Sequence, residues 1–291
     1  MSIHYFMKFE TSVIELIKKR RSRRSFINKD FDGTQTEKIH AILQSYTEGP
    51  FGNRVRFRLI EKKVAKENNK VRLGTYGFIK GARYFIAGQV RNHEHVNEDY
   101  GYLLETIILH LTALDLGTCW LGGTFSRRDF SEILNTGSDT IIPAITPVGF
   151  PAVKAPIHEN IIRWGAKADS RKKWEEIFFT DSFDNPLTKE DAGIYAVPLE
   201  MLRLAPSASN KQPWRIIKTA DAFHFYLERT AGYNRIGKGI DLQNIDMGIA
   251  MSHFELACRE LDIKGSWANI KPEIAIPATA EYCISWKIIL S

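Results

Sequence analysis

The stretch LDLGTCW (residues 114–120) recurs 147 residues later as LDIKGSW (residues 261–267). Each copy follows a long segment, ETIILHLTAL in the first case and GIAMSHFELACREL in the second, in which apolar residues recur at steps of three and four. This period predicts a helix with one buried face. Two helices that lead into the same short motif indicate an internal duplication.

A second set of identities precedes this repeat, at a separation of 157 residues. One separation held over about 35 residues, followed by another that is ten residues shorter, is what two homologous halves with loops of different length produce. The sequence therefore predicts two halves, residues 1–165 and 166–291, joined by a charged connector near residues 160–175. The pairs at the longer separation are Ser25 and Phe26 with Ser182 and Phe183, Asn53 with Asn210, Phe57 with Trp214, Arg58 with Arg215, and Ile60 with Ile217.

The order of patterns within each half indicates the fold class. Each half shows two helical segments, a strand such as VRFRLIE or WRIIKTA, a second strand (ARYFIAGQV or AFHFYLE), the long helix, and a last strand within TPVGFP or AEYCISWKIIL. Strands and helices do not alternate regularly, and no G-x-G-x-x-G follows a strand, which argues against a Rossmann sheet. We expect an α+β fold in which helices surround a largely antiparallel sheet in each half.

Composition limits the environment of the protein. Of 291 residues, 44% are hydrophobic and 25% charged, as in an ordinary globular protein. Three cysteines without a C-x-x-C pair argue against a disulfide framework, and the start MSIHYFMKFE lacks the pattern of a signal peptide. Charged residues interrupt the longest apolar stretches, which fall short of a membrane span. We expect a cytoplasmic protein that does not enter a membrane.

The net charge of +6 is partly concentrated in KKRRSRRSF (residues 18–26), where four arginines surround a serine. Guanidinium groups bind phosphate oxygens in pairs of hydrogen bonds, and the hydroxyl adds a compact donor, so this segment is a candidate anion site. A solvated basic end of a helix would have the same composition. Binding of nucleic acid is the weaker interpretation, because no aromatic residues interleave with the arginines.

Compact polar side chains are concentrated in LAPSASNKQPWR (residues 204–215). Ser207 and Ser209 offer hydroxyl groups, and Asn210 and Gln212 offer amides that both donate and accept, which suits a ligand with a mixed donor and acceptor edge. A helix end, a turn and the start of a strand would explain the prolines, but not this density of polar groups. We therefore interpret the segment as part of a ligand site.

The segment LGTCWLGG (residues 116–123) ends the first long helix. Gly117 suits a helix stop, and Gly122 and Gly123 would let a flat ligand approach the backbone closely. A plain turn from helix to loop explains the segment equally well. This segment is informative only together with the segments at residues 18–26 and 204–215.

Taken together, RRSRRSF, GTCWLGG and PSASNKQPW resemble motifs of the nitroreductase family of FMN-dependent oxidoreductases, and SRKKWEEIF (residues 170–178) resembles the basic segment near that family's C-terminus. Members are typically homodimers with two FMN sites at the interface. The R-x-S-x-R element and the basic segment of one subunit hold the phosphate and ribityl chain, while P-S-x-x-N of the other contacts the flavin ring. The resemblance implies a phosphate end formed by Arg20, Ser22, Arg24, Arg171 and Lys172, and ring contacts from Leu121, Gly122, Pro206, Ser207, Ala208 and Asn210.

The motifs are divided between the halves. At the 157-residue separation, the residues at 20, 22 and 24 fall on Ile177, Phe179 and Asp181, which cannot bind a phosphate. Conversely, only GPFG (residues 49–52) precedes Asn53, and LGTCWLGG becomes IKGSWANI. The chain thus resembles a fused nitroreductase dimer with one complete site and one that has lost its function. The resemblance implies one FMN per chain and a protein that could act as a monomer.

The resemblance further implies that NADH or NADPH reduces the flavin and that a small molecule, such as a nitroaromatic or quinone, then accepts the electrons. The chemistry would be centred on the flavin, with no catalytic side chain and no metal, since His93 and His95 lie in a polar loop without metal spacing. Tyr76, Phe78 and Phe125 are candidates for the substrate face, although core packing would explain them equally. A flavin-binding or redox-sensing protein without turnover remains the alternative.

Overall fold

The computed structural model describes residues 7–62, 74–152, 170–231, 233 and 240–289. The elements of the first half are α1 (Val13–Lys19), α2 (Gly33–Ser45), β1 (Val55–Glu61), β2 (Tyr84–Arg91), α3 (Val96–Ala113), β3 (Gly117–Thr118), α4 (Arg127–Leu134), β4 (Thr140–Ile141) and β5 (Ile145–Gly149). Those of the second half are β6 (Phe178–Thr180), α5 (Lys189–Ala192), α6 (Ala196–Arg203), β7 (Trp214–Lys218), β8 (Ala222–Glu228), α7 (Leu242–Glu260), β9 (Gly265–Ala268) and β10 (Ala280–Ile288).

Each half is built on one five-stranded sheet, and four strands are arranged alike in the two sheets. The first has the order β1-β2-β5-β3, with β4 also paired to β2, and the second has the order β6-β7-β8-β10-β9. Strand β6 is parallel to β7, and all the other neighbours are antiparallel. In both sheets the long helix follows the second strand, and the chain then returns through a short edge strand to a strand inside the sheet. The predicted α+β class and the arrangement in two similar halves are confirmed.

The two long helices, α3 and α7, pack against each other between the sheets. Their apolar period predicts one buried face, but sixteen of the 18 residues of α3 are buried. The reason is that α3 contacts α1, α2, β2 and β3 as well as α7, so polar positions of the helix are enclosed too. Glu98, Asp99 and Glu105 are among these enclosed polar residues.

Two glycines allow the close approach of α3 and α7. A Cβ atom on Gly101 would collide with the carbonyl oxygen of Ile245, and one on Gly248 would collide with that of Glu98. Gly101 and Gly248 are 147 residues apart, as are Glu98 and Ile245. Exchanging the two halves therefore turns one of these contacts into the other. The same relationship holds at the self-complementary interface of a twofold dimer.

The segment that carries β6 corrects one part of the sequence alignment. Phe179 pairs with Ile217 in β7, which is the counterpart of β1, whereas Ser22 bridges to Thr118 in β3, at the opposite side of its sheet. The equivalence of residues 20–24 with residues 177–181, and with it the pairing of Ser25 with Ser182, is therefore wrong. The 157-residue separation holds only from α2 onward, where α2 and α6 precede equivalent loops and strands.

The boundary predicted at residues 165 and 166, and most of the connector, lie outside the described residues. Strand β6 follows this connector and runs parallel to β7, so the first described strand after the connector already belongs to the second sheet. Among the helices in the described ranges, none combines the length and the apolar character needed to cross a membrane.

Candidate active site

A cavity of about 570 Å³ lies between the two halves. The end of α1 and the segment after β3 contribute to it from the first half, and the loop after α6 and the start of α7 contribute from the second. Ten of the eleven predicted site residues line it: Arg20, Ser22, Arg24, Leu121, Gly122, Arg171, Pro206, Ser207, Ala208 and Asn210. The folded chain thus brings together motifs that are almost 190 residues apart in sequence.

The eleventh predicted residue, Lys172, does not line this cavity. Its backbone N–H donates to Oε1 of Gln212 at 2.8 Å, and its Nζ lies 3.8 Å from Oε2 of Glu228. Burial lowers the pKa of its ammonium group. Lys172 fixes the base of the 204–215 segment from behind the cavity.

One end of the cavity is strongly cationic. Helix α1 ends at Lys19, and the chain then continues in an extended form, with Arg23 N–H donating to Thr118 O at 2.7 Å and Lys80 N–H donating to Arg24 O at 2.8 Å. Basic side chains dominate this lining, and Asp246 is the one carboxylate among the described lining residues. Such an excess of positive charge in a concave site attracts anions. The basic residues are Lys18, Arg20, Arg21, Arg24 and Arg171.

The wall from the first half is held by backbone hydrogen bonds. Leu121 and Ile145 exchange two of them at 3.0 Å, which joins the segment after β3 to β5. Gly122 lies close to the second half, since a Cβ atom there would lie 2.5 Å from a terminal methyl carbon of Leu242, which would have to shift. Arg127 donates to the carbonyl oxygen of Gly122 at 2.6 Å. The approach of a flat ligand to this backbone stays a prediction.

The wall from the second half is a rigid loop. Ser209, Asn210 and Gln212 have positive φ values of 50°, 54° and 50°, a region that non-glycine residues adopt only when surrounding contacts hold them there. Those contacts come from the polar groups that the sequence concentrates here: Ser207 Oγ accepts from Gln212 N–H at 2.9 Å, and Ser209 Oγ accepts from the Tyr233 hydroxyl at 3.0 Å. The density of polar side chains therefore serves the loop itself as well as the cavity.

Asn210 and Arg171 meet at the edge of this loop. The Asn210 amide donates to the Ser170 carbonyl at 3.0 Å, and Arg171 donates to Oδ1 of Asn210 at 3.4 Å and to the Leu204 carbonyl at 3.1 Å. Ser170 and Arg171 of the basic segment are thus hydrogen-bonded to the loop within residues 204–215.

Sequence reasoning missed Asp246, which anchors the same loop from α7. Its Oδ1 accepts the Ala208 N–H at 2.9 Å, and the side chain is buried. Burial raises the pKa of this carboxyl well above its usual value, and the hydrogen bond from Ala208 opposes part of that shift. A signal was present, because the 147-residue separation places Asp99 at the same position of the first long helix.

The corresponding place in the first half is closed. Asp99 accepts from Phe51 N–H and Asn53 N–H, both at 2.9 Å, and the Asn53 amide donates to the same carboxylate at 3.0 Å. The Phe51 ring stacks on His95 with 4.2 Å between centroids. Phe51 and His95 correspond to Ala208 and Leu242, so an aromatic pair occupies the space that the other half leaves open.

The three aromatic candidates for the substrate face separate clearly. Phe78 lines the cavity and is 36% exposed, while Tyr76 is 61% exposed and outside the lining. Phe125 is buried and packs edge-on to Phe130 at 5.6 Å, so its role is in the core. Within the described ranges, no group of three or more histidine, cysteine or carboxylate side chains is placed to hold a metal ion.

These features define a class: an intramolecular pseudo-dimer with an asymmetric, anion-attracting cavity between its halves. Comparison with known families identifies it further. The family model described as "Putative TM nitroreductase" matches residues 12–258, and the chain belongs to this nitroreductase family. A comparison with curated protein sequences found no match.

A solved structure is similar in fold over the whole chain, and other solved structures match about half of it. A structure from Thermotoga maritima MSB8, described as a "putative nitroreductase", has a TM-score of 0.59 and 19% identity, and the match covers 100% of this chain and 99% of that one. A nitroreductase family protein from Clostridium novyi NT matches 49% of this chain and 87% of its own, with 22% identity and a TM-score of 0.40. A nitroreductase with bound FMN from Desulfitobacterium hafniense DCB-2 matches 51% and 93%, with 17% identity and a TM-score of 0.39.

Proposed function

We propose that the chain is an FMN-dependent NAD(P)H oxidoreductase of the nitroreductase type, which reduces a nitroaromatic, a quinone or a similar small acceptor. The observation that carries the proposal is a cavity in which basic residues of the first half meet a polar loop from the second. Neither half contributes both parts, so the two halves have to act as one unit. We place their division at residues 165 and 166, and we propose that one chain is sufficient to form the site.

The lining residues fit FMN in size and charge. A cavity of about 570 Å³ lies within the range of sites that enclose a small ligand or cofactor. Arg20, Arg24 and Arg171 supply guanidinium groups for a phosphate dianion. The lining also includes Leu121, Gly122 and Ala208, which suit a flat apolar ring system.

When bound, FMN would supply two-electron redox chemistry that no side chain of the cavity can supply. The chain's own residues would bind and orient FMN and would exclude water from the cavity. The arginines would fix the phosphate, while the backbone around Leu121 and the left-handed loop at Ser209 and Asn210 would hold the ring between two rigid walls. Phe78, partly exposed at the cavity, would contact the nicotinamide or the acceptor.

The cofactor and the kinetics test this proposal. Mass spectrometry of the molecule released from the purified protein should identify FMN. With NADH or NADPH and a quinone, double-reciprocal plots should give parallel lines, because one flavin face would serve donor and acceptor in turn. Release of FAD, or no binding of flavin after reconstitution, contradicts the assignment. A yellow protein that neither nicotinamide bleaches would be a flavin-binding protein without turnover.

A further inference from the structure

Glu105 is a fully buried carboxylate beneath the cationic end of the cavity. Three side chains from different parts of the molecule converge on it, one through a hydrogen bond from an indole N–H, one through an imidazole nitrogen and one through an ion pair with an arginine. Trp120 Nε1 donates to Oε2 at 2.6 Å, His253 Nε2 lies 3.0 Å from Oε1, and Arg20 Nε lies 3.4 Å from Oε1. Arg20 lines the cavity from the first half, whereas His253 belongs to α7 of the second half.

The contact between Glu105 and His253 has a counterpart when the halves are exchanged. At the 147-residue separation, Glu105 corresponds to Ser252 and His253 corresponds to Thr106. Those two hydroxyl groups lie 2.9 Å apart and are buried. A neutral pair therefore satisfies the same position of the interface. Packing of the helices alone does not call for a buried carboxylate, whose desolvation is costly.

His253 is held at both ring nitrogens. Its Nδ1 lies 3.0 Å from the Met201 carbonyl oxygen, and its Nε2 lies 3.0 Å from Oε1 of Glu105. A carbonyl oxygen only accepts, so Nδ1 carries a hydrogen and the orientation of the ring is fixed. Glu105 thus lies between His253 of the second half and the arginine that lines the cavity.

We infer that Glu105 is a positioning residue for the anion clamp: it orients the Arg20 guanidinium, and His253 of the other half orients Glu105. The inference rests on the proposed function, since it assigns the clamp to the phosphate of FMN. The pair of Glu105 and His253 lies on the side of the pseudo-dimer where Arg20 is present, and the neutral pair of Thr106 and Ser252 lies on the other. The clamp is then assembled only when both halves are in place.

Binding of FMN and of riboflavin to Glu105→Gln separates this role from a general structural one. Riboflavin has the same ring and ribityl chain but no phosphate. We expect the Kd for FMN to rise at least about tenfold in the variant, while the Kd for riboflavin changes less than about threefold. Equal losses for both ligands would show that Glu105 only supports the fold. An unchanged or tighter Kd for FMN would show that Glu105 merely offsets positive charge, and would overturn the inference.

A double-mutant cycle tests whether the effect passes through Arg20. In the Arg20→Met background, Glu105→Gln should leave the FMN Kd within about twofold, because the residue that it positions is absent. Ser252→Ala, which changes the related neutral pair, is the matched control and should keep wild-type values for both ligands. If wild-type protein binds neither flavin, the proposed function itself fails. If it prefers FMN but the two substitutions act additively, the positioning role alone is overturned.

Discussion

Asp99 and Asp246 hold equivalent loops in the two halves, each with one carboxylate oxygen 2.9 Å from a backbone N–H, that of Phe51 in one case and of Ala208 in the other. The second oxygen of Asp99 accepts two more hydrogen bonds, both from Asn53. The same anchor therefore serves a closed loop and a loop that lines the cavity. The halves differ in the anchored loops themselves, above all in the size of residues 51 and 208.

We expect one FMN per chain, and we expect the size of the residue at position 208 to determine whether the cavity can hold it. Ala208→Phe should abolish flavin binding, because the ring would enter the cavity as Phe51 enters the corresponding space of the first half. Phe51→Ala should leave the flavin-to-protein ratio at one, since the opened space would lack an arginine clamp. Flavin absorbance against protein concentration measures both ratios. A ratio near two in wild-type protein would contradict the single-site account.

Reversal of charge at Arg24 should nearly abolish FMN binding. Each charge-assisted hydrogen bond to a phosphate contributes about 1.5–3 kcal/mol, so Arg24→Glu, which adds repulsion to this loss, should raise the Kd at least about 100-fold. Arg58→Glu is the matched control, because Arg58 is exposed on β1 and lies outside the cavity lining. Fluorescence titration measures both. Similar losses in the two variants would mean that overall charge, rather than a local clamp, governs binding.

Substitution of Gly248 should destabilise the whole protein. The Cβ of Gly248→Ala would collide with a backbone oxygen of α3, which cannot move without displacing the helix. We expect a loss of about 3 kcal/mol or more in the free energy of unfolding. Gly33→Ala, at the start of α2 with no atom within 4 Å of the added carbon, should be neutral or stabilising by up to about 1 kcal/mol. Denaturant unfolding compares the two, and a mild effect at Gly248 would show that the helix contact is loose.

Acid should destabilise the fold through His110. Burial lowers the pKa of this imidazole from 6.5 to about 4 in the folded protein. Below pH 6.5 the unfolded chain takes up a proton that the folded chain does not, so stability is complete above pH 6.5 and is lost as the pH falls towards 4. Relative to His110→Gln, the wild-type protein should lose roughly 3 kcal/mol between pH 7 and pH 4. Unfolding measured at both pH values in both proteins isolates this contribution, and a constant difference would contradict it.

The sequence was sufficient to predict the two halves and three strands of each, because these depend on local patterns and on the spacing between repeated motifs. The resemblance to a known family, rather than such patterns, supplied ten of the residues that line the cavity. The false equivalence of Arg20 with Ile177 arose because a constant separation carries no information on which strand a segment pairs with. Only the sheets show that β3 lies beside residue 22 and β7 beside residue 179.

Buried polar residues within the two long helices were the hardest to predict from the sequence. Asp246 and Glu105 interrupt helices that are buried on nearly all sides, and a helical period alone assigns polar positions to solvent. Lys172 shows the opposite error, since this basic residue next to Arg171 lies outside the cavity lining and its ammonium group lies near Glu228. The direction in which a side chain points depends on tertiary packing, which the composition of its segment does not specify.

The burial of α3 against α7 also has a consequence for synthesis of the chain. The ribosome completes α3 well before it reaches the end of α7, which lies almost 150 residues further on. At about 5–20 residues per second, the partner surface of α3 stays uncovered for roughly 7 to 30 s. During that interval the nascent first half exposes the groove at Gly101 and the apolar side chains beside it. Chaperone occupancy of ribosome-bound chains should therefore be greatest after residue 113 emerges and should fall once residue 260 has emerged.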